Sequence, residues 1–188
     1  MSLTLSAGPV TVQLVKGDIA SQDVDAIVIP ADEELSGLGE VATGVLSKAG
    51  GDVVAALAQA RETSAPVKLS QNVVTPGGAL AARHILHSVG PKWHDGYGGE
   101  FVAIERVYLY ALERAIAEGW TSLAFASIAT GGNGVPDDRA AYVAFNTFVR
   151  ELREKSGNIQ ELRFVVKDDA KFEVYAQIFE EVKRTMMG

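Results

Sequence analysis

A glycine-rich run from Ser127 to Pro136, with the sequence SIATGGNGVP, has the residue types that bind phosphate groups. It follows an apolar segment, Leu123 to Ala126, and precedes an amphipathic stretch, so we predict a turn between a buried strand and a helix. Glycines at such a turn allow main-chain N–H groups to point inward and approach a ligand closely. A phosphate or diphosphate suits this arrangement best. Taken alone, the run could equally be a plain strand-to-helix connection.

Other residue types that often perform catalysis or bind metals are scarce. The chain contains no cysteine, which excludes disulfides, thiolate catalysis and thiolate metal sites. His84 and His87 are three residues apart in a predicted strand and therefore lie on opposite faces, as core or edge residues. His94 lies in a loop with two aromatic residues, which could rim a pocket, contact a partner or simply be a surface excursion. We find no spacing typical of a metal site and predict neither a metal nor a cofactor.

The elements that must position the glycine-rich run alternate between strands and helices. Alternating or continuous apolar patterns predict strands at residues 10–16, 26–29, 72–75, 84–88, 123–126 and 162–166. Helical spacing predicts helices at residues 52–60, 101–118, 136–156 and 172–182, with Asp52 capping the first and Gly119 ending the second. This order is typical of an α/β domain with a largely parallel central sheet. Ligands bind beyond the carboxyl ends of such strands. We therefore expect the Gly17-Asp18 turn, the loop 30–42 and the loop 127–135 to open onto one edge.

Composition narrows the function classes. The 188 residues are 47% hydrophobic and 22% charged, with a net charge of −7 and no cluster of basic residues. This predicts one globular domain, 1–188, and argues against double-stranded nucleic acid or an anionic membrane as the main partner. Apolar runs are too short to span a bilayer, and the first residues lack the pattern of a secretion signal, so we expect a cytoplasmic protein.

Taken in order, several segments resemble the macro domain family, which binds ADP-ribose and related metabolites. The matching segments are KGDI from Lys16, VDAIV from Val24, AG from Ala49, TPGG from Thr75, HSVGP from His87 and the Ser127–Pro136 run. The resemblance covers about residues 10 to 145, and the last strand and helix also fit. It implies a three-layer α/β/α sandwich with a mixed, largely parallel central sheet.

The resemblance also implies which residues bind the ligand. Asp18 would accept a hydrogen bond from the adenine amino group beside the Ile19 main chain; a plain turn or helix-capping aspartate is the alternative. Asn133 stands where many members carry a bulky residue over the distal ribose; a turn residue with a left-handed backbone is the alternative. The full set of expected binding residues is Gly17, Asp18, Ile19, Ala31, Asp32, Gly37, Gly39, Val41, Ser127, Thr130, Gly131, Gly132, Asn133, Gly134 and Val135.

The first ligand loop departs from the family pattern at positions that matter for hydrolysis. Asp32 stands in place of an asparagine that orients the distal ribose, and Ala42 in place of an aspartate that activates water. Glu40 replaces one of the loop glycines. Asp32 and Glu40 are therefore only weak candidates for a general base, and the catalytic residues remain unknown. We interpret Glu33, Glu34 and Glu40 as a solvated loop face.

After the last predicted strand, the aromatic residue Phe172 has two interpretations. Asp168 and Asp169 follow the last strand, where family members place residues beside the adenine. Phe172 follows them and could offer a ring to the adenine, although core packing fits its position on the last helix better.

The sequence thus predicts binding of ADP-ribose or a derivative, by backbone donors rather than basic side chains, with an ADP-ribosylated protein as a possible partner. An ADP-ribosyl or ADP-ribose-1″-phosphate hydrolase with a rearranged loop is the first alternative. A scaffold adapted to another ligand or to a protein partner is the second.

Overall fold

The computed structural model describes residues 2–187 and contains seven strands and five helices. The strands are β1 (Ser2–Ala7), β2 (Val10–Lys16), β3 (Ala26–Ala31), β4 (Asn72–Pro76), β5 (His84–Val89), β6 (Ser122–Phe125) and β7 (Glu161–Val166). The helices are α1 (Glu40–Ala49), α2 (Gly51–Ser64), α3 (Glu100–Glu118), α4 (Asp137–Glu154) and α5 (Asp169–Met187). A 3₁₀ turn, Ile19–Ser21, follows β2. Within these residues, none of the helices is long and apolar enough to cross a membrane.

All seven strands form one sheet in the order β1-β2-β7-β6-β3-β5-β4. The five inner strands are parallel, with Val12 opposite Leu162, Leu123 opposite Leu162 and Val28 opposite Leu86. The two edge strands, β1 and β4, are antiparallel to their neighbours. The sheet is therefore mixed and largely parallel, as the sequence predicted.

Helices cover both faces of this sheet because its central strands are apolar on both sides. In β3, Ala26 and Val28 pack into the core shared with α3, α4 and α5, whereas Ile27 and Ile29 pack into the core shared with α1. All four side chains are fully buried. Successive strand residues point to opposite faces, so a continuous apolar run indicates a strand enclosed by two helical layers. The three-layer α/β/α arrangement is confirmed.

The structure differs from the sequence prediction at the start of the helical layer. The expected loop 30–42 is shorter, because β3 continues to Ala31 and the unpredicted helix α1 begins at Glu40. Pro30 is accommodated within β3 beyond Val28, the last β3 residue paired with β6. The edge strand β1 was also not predicted. The expectation that Asp52 caps α2 is wrong: Gly50 occupies the cap position and Asp52 lies inside the first turn.

The parallel strands bring their carboxyl ends to one edge of the sheet. The turn after β2, the loop after β3 and the loop after β6 all leave from this edge, together with the segments after β5 and β7. These five connections supply the walls of the cleft described next.

Candidate functional site

A cleft of about 1020 Å³ opens at the carboxyl edge of the sheet. Its volume lies near the top of the range of roughly 300–1,000 Å³ found for small-molecule sites. Its walls carry most of the residues that the sequence singled out. Those lining it are Gly17, Asp18, Ile19, Ala31, Asp32, Gly39, Glu40, Val41, Ser127, Thr130, Gly131, Gly132 and Asn133.

Three expected binding residues do not line the cleft wall. Gly37 lies within the first loop and packs against α1, where a Cβ would meet the Leu46 side chain at 2.7 Å. Gly134 closes the second loop, and Val135 is buried at 2% exposure in the main core. These three residues are close in sequence to cleft-lining residues, but the fold places them away from the cleft wall.

Asp18 takes the turn-capping role, one of the two alternatives that the sequence left open. Its Oδ1 accepts a hydrogen bond of 2.9 Å from the Ala20 N–H and thereby caps the 3₁₀ turn. Its Oδ2 accepts a hydrogen bond of 2.5 Å from Lys48 Nζ on α1. The Lys48 hydrogen bond holds the pKa of the Asp18 carboxyl below its ordinary value, aided by the Ala20 N–H and opposed by partial burial. Asp18 is thus a fixed, ionised acceptor on the cleft wall.

Asp32 organises the first loop rather than standing free as a base. It accepts hydrogen bonds from the N–H groups of Glu34 (3.0 Å) and Ser36 (3.1 Å) and from the Ser36 hydroxyl. Partial burial would raise the pKa of Asp32, but these hydrogen bonds outweigh it and lower the pKa. A carboxylate so engaged is a weak proton acceptor.

The rest of the first loop offers little for acid–base chemistry. Ala42 is buried within α1, where its methyl group cannot activate water. Glu33, Glu34 and Glu40 are exposed at the mouth of the cleft, in agreement with a solvated loop face. Leu38 is 75% exposed on the same rim. The loop therefore presents carboxylates to solvent but assembles no base with a positioned partner.

The second loop leaves an open space above two of its glycines. A Cβ at Gly131 or Gly132 would meet no atom within 4 Å, and neither residue has a positive φ. Neither backbone conformation nor protein packing therefore demands glycine at these positions. Because both line the cleft, an absent side chain leaves room for a ligand to approach the main chain.

Internal hydrogen bonds fix the shape of the second loop. Gly131 accepts a hydrogen bond of 2.9 Å from the Gly134 N–H, and Ala129 accepts one of 3.0 Å from the Val135 N–H. Ala129, with φ of 64°, carries the left-handed conformation that was considered for Asn133. Asn133 is a turn residue, as that interpretation held, but its φ is not positive. Asn133 donates from Nδ2 to the Gly90 carbonyl at 3.2 Å and so ties the loop to the segment after β5.

A chain of side-chain hydrogen bonds supports the second loop from α5. Ser127 Oγ lies 2.7 Å from Thr130 Oγ1 and 2.5 Å from Tyr175 Oη. Lys171 Nζ donates to Thr130 Oγ1 at 2.8 Å and forms an ion pair of 3.0 Å with Asp137. Tyr175 is fully buried, and this burial raises the pKa of its phenol.

The cleft also carries basic side chains that were not predicted from the sequence. Lys48, Lys92, Lys167 and Lys171 line the cleft, so donors other than the backbone are available to an anionic ligand. The expectation that binding rests on backbone donors rather than basic side chains stays a prediction. The lysines come from three separate parts of the chain, and only Lys167 and Lys171 are close in sequence, so no local charge signal could have found the set.

Phe172, His84 and His87 pack into the fold, as the sequence predicted. Phe172 is buried in the main core, so its ring is not offered to the cleft. His87 is bonded to the Thr75 hydroxyl at 2.9 Å, and burial lowers its pKa to about 4. His84 stacks on Trp120 with a ring separation of 4.9 Å. Among residues 2–187, no group of three or more His, Asp or Glu side chains could hold a metal ion.

Comparison with known proteins places these observations in a family. The family model described as Macro domain matches residues 28–144 of the chain. A macro domain-containing protein of Caldanaerobacter subterraneus subsp. tengcongensis is 37% identical over 174 residues, which cover 92% of this chain and 98% of that protein. An O-acetyl-ADP-ribose deacetylase of Cronobacter sakazakii is 34% identical over 167 residues, covering 89% of this chain and 92% of the deacetylase.

Solved structures with the same architecture include ligand complexes. The Oceanobacillus iheyensis macrodomain with ADP has a TM-score of 0.92 and 25% identity, and the match covers 98% of each chain. A variant of that macrodomain with ADPR has a TM-score of 0.91 and 25% identity, covering 97% of this chain and 98% of the other.

Proposed function

Because this chain belongs to the macro domain family, we propose that it binds ADP-ribose or an ADP-ribose derivative in the cleft at the carboxyl edge of its sheet. The observation that carries the proposal is the pairing of a fixed carboxylate, Asp18, with the open glycines Gly131 and Gly132 in one cleft. A carboxylate complements an exocyclic amine, and open main-chain N–H groups complement a diphosphate.

The two ends of such a ligand would contact different groups of the protein. The adenine amino group would donate to Asp18 beside the Ile19 main chain, and the diphosphate would lie against the loop from Thr130 to Asn133. The first loop, including Ala31, Asp32, Gly39 and Val41, would flank the distal ribose and the diphosphate.

Charge in the cleft is compatible with an anionic ligand. Carboxylates of the first loop oppose a diphosphate, but they are exposed and therefore screened by solvent and salt. Lys48, Lys92, Lys167 and Lys171 supply positive charge at the same cleft. The net effect favours binding where the lysines and the second loop lie, rather than at the acidic rim.

Hydrolysis of an ADP-ribose adduct is the second candidate function. Relatives named O-acetyl-ADP-ribose deacetylase, among them the Cronobacter sakazakii protein, favour it. The first loop argues for a weak or absent activity, because Ala42 cannot activate water and Asp32 is held by three hydrogen bonds. Glu40 is the remaining candidate for a general base. Release of acetate from O-acetyl-ADP-ribose, lost in Glu40→Gln, would support this function.

Broader assignments rest on the same cleft. An ADP-ribosylated protein is a proposed partner, with its modified residue at the acidic rim. Adaptation to a different metabolite or to a protein partner is the competing hypothesis.

A cytoplasmic location and the absence of double-stranded nucleic acid or membrane partners remain predictions from composition.

Isothermal titration with ADP-ribose, with AMP as the comparison ligand, tests the proposed function. We expect micromolar or tighter binding of ADP-ribose and much weaker binding of AMP, because AMP lacks the second phosphate and the distal ribose. No heat with ADP-ribose at millimolar concentration would contradict the proposal and would favour the competing hypothesis.

A further inference from the structure

Lys171 lies in a position that its own helix disfavours. It is the third residue of α5, whose first turn is capped by Asp168, which accepts a hydrogen bond of 2.8 Å from the Lys171 N–H. A cation in the first turn opposes the helix dipole, which favours negative charge there. Such a local conflict in a natural sequence indicates a role outside the helix.

The contacts of the Lys171 side chain identify that role. Its ammonium bridges the second loop and α4, because it donates to Thr130 Oγ1 and pairs with Asp137. The side chain is only 25% exposed and lines the cleft. Three chain segments, the loop after β6, the start of α4 and the start of α5, therefore meet at one ammonium group.

The connection continues into the core through hydroxyl groups. Since Thr130 Oγ1 accepts from Lys171, its own hydrogen is free to donate to Ser127 Oγ, which in turn contacts Tyr175 Oη. Tyr175 is fully buried in the main core. The loop is thereby linked both to a buried core residue and to a charged residue at the cleft.

We propose that Lys171 is a positioning residue for the second loop: it acts through Thr130 to hold the main-chain N–H groups of Gly131 and Gly132 in the arrangement that receives a diphosphate. This inference rests on the proposed function and names the side chain that prepares its diphosphate site. Preorganised donors bind better because the cost of ordering them is met before the ligand arrives.

Titration of Lys171→Met with ADP-ribose and with AMP tests this role. We expect the affinity for ADP-ribose to fall about tenfold, as for the loss of one charge-assisted hydrogen bond, and the affinity for AMP to fall less. Lys171→Arg should recover most of the loss. Lys183→Met, on the same helix but three turns farther along, is the matched control and should bind like the parent. Equal affinities of Lys171→Met and the parent would overturn the proposal.

A double-mutant cycle separates positioning through Thr130 from a direct contact with the ligand. If Lys171 acts through the Thr130 hydroxyl, Lys171→Met combined with Thr130→Val should lose no more affinity than the more damaging single change. Additive losses would overturn the positioning role.

Hydrogen exchange of the ligand-free protein supplies a test that needs no binding. Exchange of the amides from Ala129 to Gly134 should become faster in Lys171→Met and stay unchanged in Lys183→Met. If the parent does not bind ADP-ribose, the proposed function fails while faster exchange would still support the loop-positioning role. Unchanged exchange would contradict that role in either case.

Discussion

The ammonium of Lys48 lies 2.5 Å from Oδ2 of Asp18, so that a residue of α1 holds the carboxylate at the turn after β2. The two residues are 30 positions apart in the chain, and both line the cleft. The Ala20 N–H fixes the other oxygen of Asp18. This pair orients the carboxylate before any ligand arrives, and it underlies the first two predictions.

Asp18→Ala should weaken binding of ADP-ribose by about 10- to 100-fold, which is the usual effect of losing a hydrogen bond to a charged group. Isothermal titration measures the change. Asp23→Ala, a nearby exposed aspartate, is the control and should bind like the parent. Since Asp18 also caps the 3₁₀ turn, the melting temperature should be recorded for both variants. Unchanged affinity in Asp18→Ala would refute the assignment of the adenine site.

Lys48→Met should shift the acid limb of ADP-ribose binding to higher pH. The Lys48 hydrogen bond lowers the pKa of Asp18, so its removal lets that pKa rise toward the ordinary value of 3.8. Protonated Asp18 is a poorer acceptor, and binding is lost as pH falls through its pKa. Dissociation constants across the acidic range in which the circular dichroism signal is constant would measure the shift. An acid limb at the same pH in both proteins would contradict the role of the pair.

Gly131→Ala should reduce ADP-ribose affinity at least tenfold without lowering the melting temperature. The added methyl group meets no protein atom within 4 Å but occupies the space that we assign to the diphosphate. Gly51→Ala, also without neighbours within 4 Å and without a positive φ, is the control outside the cleft and should leave binding unchanged.

The contrasting variant is Gly37→Ala, which should lower the melting temperature. Its φ is +72°, and its Cβ would meet the Leu46 side chain at 2.7 Å.

Full ADP-ribose affinity in Gly131→Ala would show that the ligand does not approach this part of the second loop.

His87→Gln should make the protein less sensitive to acid. Burial lowers the pKa of His87 from 6.5 to about 4, so the unfolded chain takes up this proton first as pH falls. The free energy of unfolding should therefore decrease by about 1.4 kcal/mol per pH unit between these values. Glutamine can still bond to Thr75 but does not titrate in this range.

Urea denaturation from pH 7 to pH 4 would measure this dependence. His94→Gln, at an exposed position, is the control and should follow the parent. The carboxylates with lowered pKa values act in the same direction at lower pH, so the slope specific to His87 is the difference between the parent and His87→Gln. Parallel curves would indicate that His87 does not bind a proton on unfolding in this range.

The sequence by itself determined the layered architecture and the edge at which the site lies. The fully apolar run Ala26–Ile29 requires helices on both faces of the sheet, and the period-3.6 pattern of α3 ends at Gly119, as predicted. Parallel strands bring their carboxyl ends together, so the sequence predicts that Asp18 and Thr130 lie at the same edge of the sheet. Periodicity and turn residues are local signals in the sequence. The layered architecture and the position of the site at one edge of the sheet follow largely from these signals.

Only the tertiary structure decided how the side chains of that edge are used. The pairs Lys48–Asp18 and Lys171–Thr130 join residues 30 and 41 positions apart, and no local pattern encodes such contacts. Val135 belongs to the glycine-rich motif in sequence yet lies in the core, because the turn of the loop directs it inward. Distances across a cleft depend on how layers pack, and packing is a property of the whole chain.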